Sequence, residues 1–474
     1  MLQIFNTLSG QKEDFTPIKE GLVGMYTCGP TVYHYASIGN WRTYILGDVM
    51  YRTLKYNGYS VNYIMNVTDV GHLTGDNEGD ASQGEDRMEK AKRREGKNAW
   101  EIADFYTKDF IAGFSKLNLE MPNKIVKATD HITEQIELVQ KLEKAGLTYK
   151  ISDGIYFDVS TYEASGKTYG ELSTIDQTSD DFARIEPNPE KRDARDFALW
   201  KFSPENEKRD MEWDSPFGIG FPGWHIECSA MSMKYLGEQF DLHVGGEDLR
   251  QTHHPNEIAQ SEGATGCAPF SKYWMHGKFL LVDGGRMGKS KGNAYIIQDI
   301  EERGLSSLAL RYFYFTGHYQ HQINFTWEAL QAAQNALDKL HQKTLTLKKE
   351  AGLKKWFASI DQDYLQKFME AINDDLEMPR ALAVVWELVK DETLSPAVKY
   401  KTLVDFDQVL GLGLDSIKAQ KSEAIPKEIK DLSDERKTAR DEKDWEKSDE
   451  LRDTITDMGY TVKDTENGQE LSKS

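Results

Sequence analysis

Five side chains in this sequence could hold a cation together. His253, His254 and Glu257 fall within five positions, and Cys228 precedes His253 by 25 residues. Cys28 stands far upstream, just after the first strand candidate. Imidazole nitrogen, thiolate sulfur and carboxylate oxygen are the donors that suit a borderline ion such as zinc. Proline is favoured at the first helical position, so a helix is expected to begin at Pro255. His253 then sits just before that helix and Glu257 in its first turn. Spacing alone leaves a second reading at least as open, in which these are satisfied core or capping residues, because no close CxxC pair anchors a site. His254 reads better as a structural or outer-layer residue. Cys267, in Thr265-Gly266-Cys267-Ala268-Pro269, has no donor neighbours and reads as inert.

Two glycine-containing stretches could meet phosphates. Ser37-Ile38-Gly39-Asn40 lies between a strand candidate and a helix start, where free backbone N–H groups and the positive helix end favour anions. Gly39 lets a nucleotide approach the backbone closely. Gly284-Gly285-Arg286-Met287-Gly288-Lys289-Ser290-Lys291-Gly292-Asn293 packs four glycines and several cations into ten residues. It reads either as a basic loop that follows charge developing on phosphates or as a solvated hairpin turn.

These residues need a frame. Gly24 to Thr27 suggests a strand. Trp41 to Tyr56 carries Leu46, Val49, Met50, Thr53 and Leu54 at helical spacing. Val61, Tyr63, Met65 and Val67 alternate like a strand. Strand, helix and strand with a short return predict a parallel, right-handed βαβ unit. Residues 76–97 read as a mobile polar loop running into a helix, and 98–150 as helical. Residues 151–215 read as a β-rich insertion, clearest at Asp153 to Val159. Beyond 300 helical periodicity dominates, as in Ala332, Ala333, Ala336, Leu337 and Leu340. The tail predicts helices over 428–441 and 445–458 and a closing strand at Tyr460-Thr461-Val462.

Composition narrows the class. A chain of 474 residues is too long for one core. Hydrophobic content of 39% and charged content of 29% suit a folded protein, not a disordered one. No apolar run approaches the roughly 20 residues of a membrane span, and Met1 to Asn6 has no secretory pattern, so a soluble cytoplasmic protein is expected. Three widely spaced cysteines make no disulfide framework. A net charge of -20 argues against a nucleic-acid partner, although a local basic groove can sit on an acidic protein.

Taken together the motifs closely resemble the cysteinyl-tRNA synthetases, a class I family, over the whole chain. Met25-Tyr26-Thr27-Cys28-Gly29-Pro30-Thr31-Val32-Tyr33 is similar to the family's opening stretch. Ser37 to Asn40 stands where the HIGH signature belongs, and Arg286-Met287-Gly288-Lys289-Ser290 where KMSKS belongs. Gly223-Trp224-His225-Ile226-Glu227-Cys228-Ser229-Ala230-Met231 and His253-His254-Pro255-Asn256-Glu257-Ile258-Ala259-Gln260 are specific to the family. The tail around Asp444-Trp445 resembles its small anticodon-reading domain.

The resemblance implies an α/β fold: a Rossmann-type catalytic domain split by an insertion, then an α-helical bundle and a small anticodon-binding domain. The expected boundaries are 1–120, 121–215, 216–300, 301–420 and 421–474. It implies one zinc per chain, held by Cys28, Cys228, His253 and Glu257, and a substrate cysteine that meets the metal through its own sulfur. It places Cys28, Gly29, Thr68, Trp224, His243 and Asp248 in the amino-acid pocket. Catalysis falls to Ser37, Gly39, Asn40, Lys289 and Ser290, with Gly39, Asn40 and Lys289 on ATP. Arg436, Arg440, Trp445 and Asp449 become the anticodon-reading face. L-cysteine, ATP with Mg2+ and tRNA(Cys) are the expected partners, and the chain is expected to be a monomer. Arg436 and Arg440 read equally as a solvated i, i+4 face, since residues 421–474 hold 11 basic and 16 acidic side chains.

The chain departs from the pattern at Ser37, Asn40 and Gly288. Ser37 replaces the first histidine of HIGH and cannot carry positive charge; losing one transition-state donor costs on the order of 10²–10³ in rate. His34, three residues earlier, is the expected substitute. Gly288, in place of serine, is expected to loosen the second loop. Two other readings share the catalytic core: a ligase joining cysteine to an amino sugar, and a non-catalytic binder of tRNA or cysteine.

Overall fold

The alternation at Val61, Tyr63, Met65 and Val67 becomes a strand buried along its whole second half, because helices cover both faces of its sheet. The computed structural model describes residues 1–70, 73–74, 85–174, 188–204, 208–288, 292–416, 426–465 and 468–473. They form two compact units, Met1–Asp415 and Ser416–Ser474.

In the first unit, strand β1 (Leu22–Thr27) leads to helix α1 (Ile38–Tyr56) and strand β2 (Ser60–Val67). Strand β3 (Lys124–Lys127) adds to β2 in parallel. Next come four short strands, β4 (Thr148–Ile151), β5 (Gly154–Phe157), β6 (Phe197–Phe202) and β7 (Gly220–Pro222), paired antiparallel in the order β7-β6-β5-β4. Helix α2 (Trp224–Leu236), strand β8 (Phe240–Gly246), helix α3 (His253–Thr265) and strand β9 (Ser271–Gly277) return to the main sheet. Its order is β9-β8-β1-β2-β3, all parallel. The chain leaves β1 on one side and comes back on the other. The order reverses between β1 and β8, where such sheets leave a crevice at the carboxyl ends of their strands.

The insertion differs from expectation at both edges. Strand β3 lies past residue 120 yet belongs to the main sheet, and β7 extends the insertion's sheet past residue 215. Both are too short to show alternation: β3 has only Ile125 and Val126 between lysines, and β7 is Gly-Phe-Pro. The stretch 98–150, expected helical, breaks at β3 and β4; within 76–97, read as a loop running into a helix, a helix forms over Arg87–Glu95, and residues 76–84 lie outside the described residues. The insertion's core of Phe157, Phe197 and Trp200 packs against Ile226 and Ala259, on the two helices that carry Cys228 and Glu257.

A helical bundle follows, including α4 (Trp327–Ala351) and α5 (Pro396–Leu410). A buried ionic knot fastens α1 to it. Asp48 pairs with Arg52 at 2.8 Å and with Arg311 at 2.6 Å, and Arg311 also donates to the Leu410 carbonyl at 2.6 Å. Removing one partner of such a buried pair leaves the other without compensation.

The second unit holds helices α6 (Lys427–Asp441) and α7 (Trp445–Asp457) and a hairpin of β10 (Tyr460–Thr465) with β11 (Gly468–Lys473). Its core is Ile429, Ile455 and Val462. The polar run of β11 hid that strand from periodicity. Among the described residues, no helix is long and apolar enough to cross a membrane.

Candidate active site

The donor residues meet at the sheet's reversal point. Cys28 follows β1, and its N–H donates to the Val244 carbonyl of β8 at 3.2 Å. Gly29 comes next; its N–H donates to Asn66 Oδ1 at 2.8 Å, and a Cβ there would lie 1.7 Å from the Asn66 carbonyl oxygen, so only glycine fits. Cys228 projects from α2. Helix α3 begins at His253, two residues earlier than Pro255 suggested, which the proline allows because the first-turn N–H groups have no helical partner. His253 and Glu257 are thereby one helical turn apart on one face.

Sγ of Cys28, Sγ of Cys228, a ring nitrogen of His253 and a carboxylate oxygen of Glu257 all lie within 4.8 Å of one another, and all four residues are buried. The sulfurs are 3.9 Å apart, His253 Nε2 lies 3.4 Å from Cys228 Sγ and 3.0 Å from Glu257 Oε1, and Cys28 Sγ lies 3.8 Å from Glu257 Oε1. A tetrahedral ion with bonds of about 2.0–2.3 Å sets its donors roughly 3.3–3.8 Å apart. The residues fit zinc. A second set, Cys28 with His243, His254 and Glu257, shares two of these donors.

Without a cation the cluster settles its charges among its own members. Burial works against charge on His253, yet Cys228 and Glu257 raise it to about 10. Burial favours a neutral Glu257, yet His243 and His253 hold it down to about 2. Burial, reinforced by Cys228, pushes the Cys28 thiol well up. A dication reverses this last effect, because a coordinating thiol is deprotonated outright.

An outer layer fixes these side chains. His243 Nε2 lies 3.0 Å from Glu257 Oε2, and its ring stacks on Trp274 at 4.4 Å. His225 Nδ1 lies 2.9 Å from His253 Nδ1. His254 contacts Cys28 at 3.5 Å and His276 at 2.7 Å, and His276 contacts Thr7 at 2.9 Å. Burial and the surrounding histidines push His254 well below its ordinary range, so it stays neutral. Thr68, on the far side, donates to Glu227 Oε2 at 3.2 Å.

Above the cluster opens a cleft of about 190 Å³. Cys28, Gly29, Trp224 and Asp248 line it together with Asn40 and His34. Thr68 and His243, expected in the amino-acid pocket, lie beneath this lining with almost no exposure. The first signature turn opens helix α1. Ser37 is the N-cap of α1: the Asn40 N–H donates to its hydroxyl at 3.3 Å, and that hydroxyl donates to Asn40 Oδ1 at 2.7 Å. This reciprocal cap keeps Ser37 in the helix start. His34 reaches the cleft, with its ring stacked on Tyr106 at 6.0 Å and 4°.

The second signature begins as a hairpin. Asp283 and Gly284 take positive φ of 50° and 75°, as a two-residue turn with this strand twist requires, and Gly285–Arg286 pairs with Leu281–Val282. Met287 then packs on Gly39: a Cβ on that glycine would lie 2.3 Å from Met287 Cε. The two signatures therefore touch. The Gly288 N–H donates to Asn293 Oδ1 at 2.8 Å. Lys289 and Ser290 lie outside the described residues.

The family model for the tRNA synthetases class I (C) catalytic domain matches residues 14–335, and that for the cysteinyl-tRNA ligase anticodon binding domain matches 422–471. Cysteine--tRNA ligase 1 of Burkholderia lata is 46% identical over 99% of this chain and 96% of its own. Cysteine--tRNA ligase of Treponema denticola is 41% identical over 98% of each. The chain belongs to the cysteinyl-tRNA ligase family. Solved structures show the fold of the class. Methionyl-tRNA synthetase of Mycobacterium tuberculosis, in complex with methionyl-adenylate, has a TM-score of 0.56 at 16% identity, over 82% of this chain and 90% of its own. A LeuRS of Agrobacterium radiobacter K84 has a TM-score of 0.58 at 12% identity, over 84% of each chain.

The family's anticodon domain coincides with the second unit. There the four residues expected to read tRNA are differently placed. Arg436 is only 3% exposed and bidentate to Asp464 at 2.9 and 3.2 Å. Its guanidinium joins α6 to the hairpin, which corrects its reading as part of a solvated face. Asp449 pairs with Arg452 at 3.1 Å. Trp445 is 57% exposed, with the Arg440 guanidinium 5.8 Å from its ring.

Residue types revealed the cluster but not its support. His225, His276 and Glu227 were not singled out. The available signal was His225 three residues before Cys228 in one helix, the spacing that puts both on one face.

Proposed function

We propose that this chain activates L-cysteine with ATP and ligates it to tRNA(Cys) through cysteinyl-adenylate. The observation that carries this reading is the convergence of the Cys28, Cys228, His253 and Glu257 donors directly beneath a cleft lined by Asn40 and His34. Zinc held by those four residues supplies a soft Lewis acid that favours the substrate's thiolate over a serine hydroxyl. A difference of one methylene gives only about 1–3 kcal/mol, so selecting a sulfur by bonding removes the need for editing.

The chain's own residues position the reactants. Trp224 and Asp248 bound the amino-acid end of the cleft, with Asp248 the acidic partner for the substrate's ammonium. The positive end of α1 receives ATP, with Gly39 giving close approach to the backbone. Attack of the carboxylate on the α-phosphorus forms the adenylate and releases pyrophosphate; a terminal ribose hydroxyl of tRNA then takes the activated carbonyl. His34 supplies the donor that Ser37, committed to its cap, does not. Lys289 and Ser290 follow the pyrophosphate charge, and Mg2+ accompanies ATP. Catalysis on this account is orientation and charge stabilisation. Residues 421–474 take the anticodon, which disfavours the amino-sugar ligase, and a cytoplasmic location and a monomer accompany the reading.

The test is cysteine-dependent charging of tRNA transcripts, with serine and a zinc-stripped sample as controls. Charging that requires zinc and ignores serine supports the proposal. Adenylate without charged tRNA returns the small-molecule ligase reading, and neither product returns the non-catalytic binder.

A further inference from the structure

Helix α4 ends in a basic surface on an acidic chain. Residues 343–357 hold five lysines and one glutamate, whereas the whole chain carries -20. Gly352, with φ +50°, ends the helix and turns the chain into a short 3-10 segment, Gly352–Trp356. On it Leu353 is 80% exposed, Trp356 74% and Phe357 90%, three adjacent large apolar side chains turned to solvent. Lys343, Lys349, Lys354 and Lys355 make no ion pair with any described residue. The segment is nevertheless anchored. Lys348 pairs with Asp415 at 2.9 Å, and the Lys355 ammonium lies 5.6 Å from the Trp356 ring and 5.8 Å from Tyr400 of α5.

Aromatic faces set among cations are the chemistry that takes up unstacked nucleotides: bases stack on the rings while the cations meet the phosphates. RNA offers such bases in its loops and bulges. The placement suits the substrate's length. Helix α4 begins at Trp327, whose ring lies 4.8 Å from Tyr295, and the neighbouring Tyr295 carbonyl accepts the Ile38 N–H of the first signature. A helix of 25 residues spans about 37 Å. The patch thus lies a helix length from the end of α4 that neighbours the first signature.

We propose that Trp356 and Phe357, with Lys349, Lys354 and Lys355, form a tRNA-binding platform that stacks on unpaired bases in the body of the tRNA and neutralises adjacent phosphates. This rests on the reading of the chain as a tRNA ligase. It adds a contact outside both the cleft and the second unit.

The experiment uses the full chain carrying Trp356→Ala/Phe357→Ala or Lys354→Gln/Lys355→Gln. Cysteine-dependent pyrophosphate exchange needs no tRNA and should stay within about twofold of the unaltered chain. The KM for tRNA in charging should rise about 5- to 100-fold for the aromatic pair, the range expected for one or two lost stacks. For the lysine pair, the dependence of log affinity on log salt should flatten by about 1–2 units. An unchanged tRNA KM and salt slope, with Tm preserved, overturns the proposal. So does a concentration-dependent dimer that the aromatic pair abolishes, which would make the patch a contact between copies of the chain. Absence of exchange in the unaltered chain would instead sink the ligase reading.

Discussion

The donor cluster and the second unit contrast in how they fix chemical groups. In the first, residues from three separate places converge, and every donor is buried and held by at least one partner. In the second, Arg440 and Trp445 sit on neighbouring helices at the surface, above a core of three apolar side chains. Burial makes the first site exacting: a displaced donor leaves unpaired polar groups in a dry interior. Exposure makes the second forgiving, because water replaces whatever is lost. If the proposed function holds, the chain joins a stringent test of the amino acid to a tolerant reading of the nucleic acid, and substitutions should separate the two.

The largest effect is expected at Cys228. Cys228→Ser should lower bound zinc from one per chain to a small fraction. It should cut cysteine-dependent pyrophosphate exchange more than about 10²-fold, beyond the 10- to 100-fold typical of losing an outer-layer partner. Full zinc content in this variant, measured by metal analysis, would show that the second donor set with His243 and His254 holds the ion instead.

Next come the two residues of the opening turn. His34→Ala should slow adenylate formation about 10²-fold, the usual consequence of removing one transition-state donor. Ser37→Ala should cost about 1 kcal/mol of stability through the lost cap, and should alter the rate far less. Pre-steady-state adenylate formation and thermal melting separate them, and the reverse ranking would return Ser37 to catalysis.

This turn also shows what could be read from sequence. Residue identity marked five candidate donors and two glycine-containing loops, since cysteine and histidine are rare and their chemistry is distinctive; the family resemblance singled out four of the donors and named the loops as signatures. It did not reveal that Ser37 caps α1, because serine is equally suited to capping and catalysis. The parallel sheet was legible in β1, α1 and β2, where periodicity runs long. It failed at β3, β7 and β11, which are too short or too polar to carry a period. Arg436 was misread for a third reason: its i, i+4 spacing with Arg440 suggests one solvated face, and only the fold reveals Asp464 across from it.

Arg436→Gln should therefore destabilise the second unit by about 1–2 kcal/mol, seen as faster hydrogen exchange in α6 and β10 of the full chain, with pyrophosphate exchange unchanged. The pair also has an acid signature. Arg436 holds the Asp464 carboxyl below its ordinary range. Its contribution is complete above the unfolded value, about 3.9, and is lost as pH falls through the lowered folded value. The variant should lose most of this acid sensitivity, with the remainder held by Arg440 beside the same carboxylate; undiminished sensitivity would assign it to another carboxylate.

The smallest effect is expected at the exposed pair. Arg440 lies 3.0 Å from Asp464 and stands beside Trp445, so removing either leaves the core of the unit untouched. Arg440→Ala or Trp445→Ala should raise the tRNA KM only about three- to tenfold, as befits one stacked or charged contact on a wet surface, while the KM for cysteine and the unit's hydrogen exchange stay fixed. The double variant is the sharper measurement. If the guanidinium and the indole form one recognition element, removing both should cost little more than removing either, because contacting residues do not contribute independently. Additive losses would mean two separate contacts, and the nucleic-acid face would then be broader than the pair.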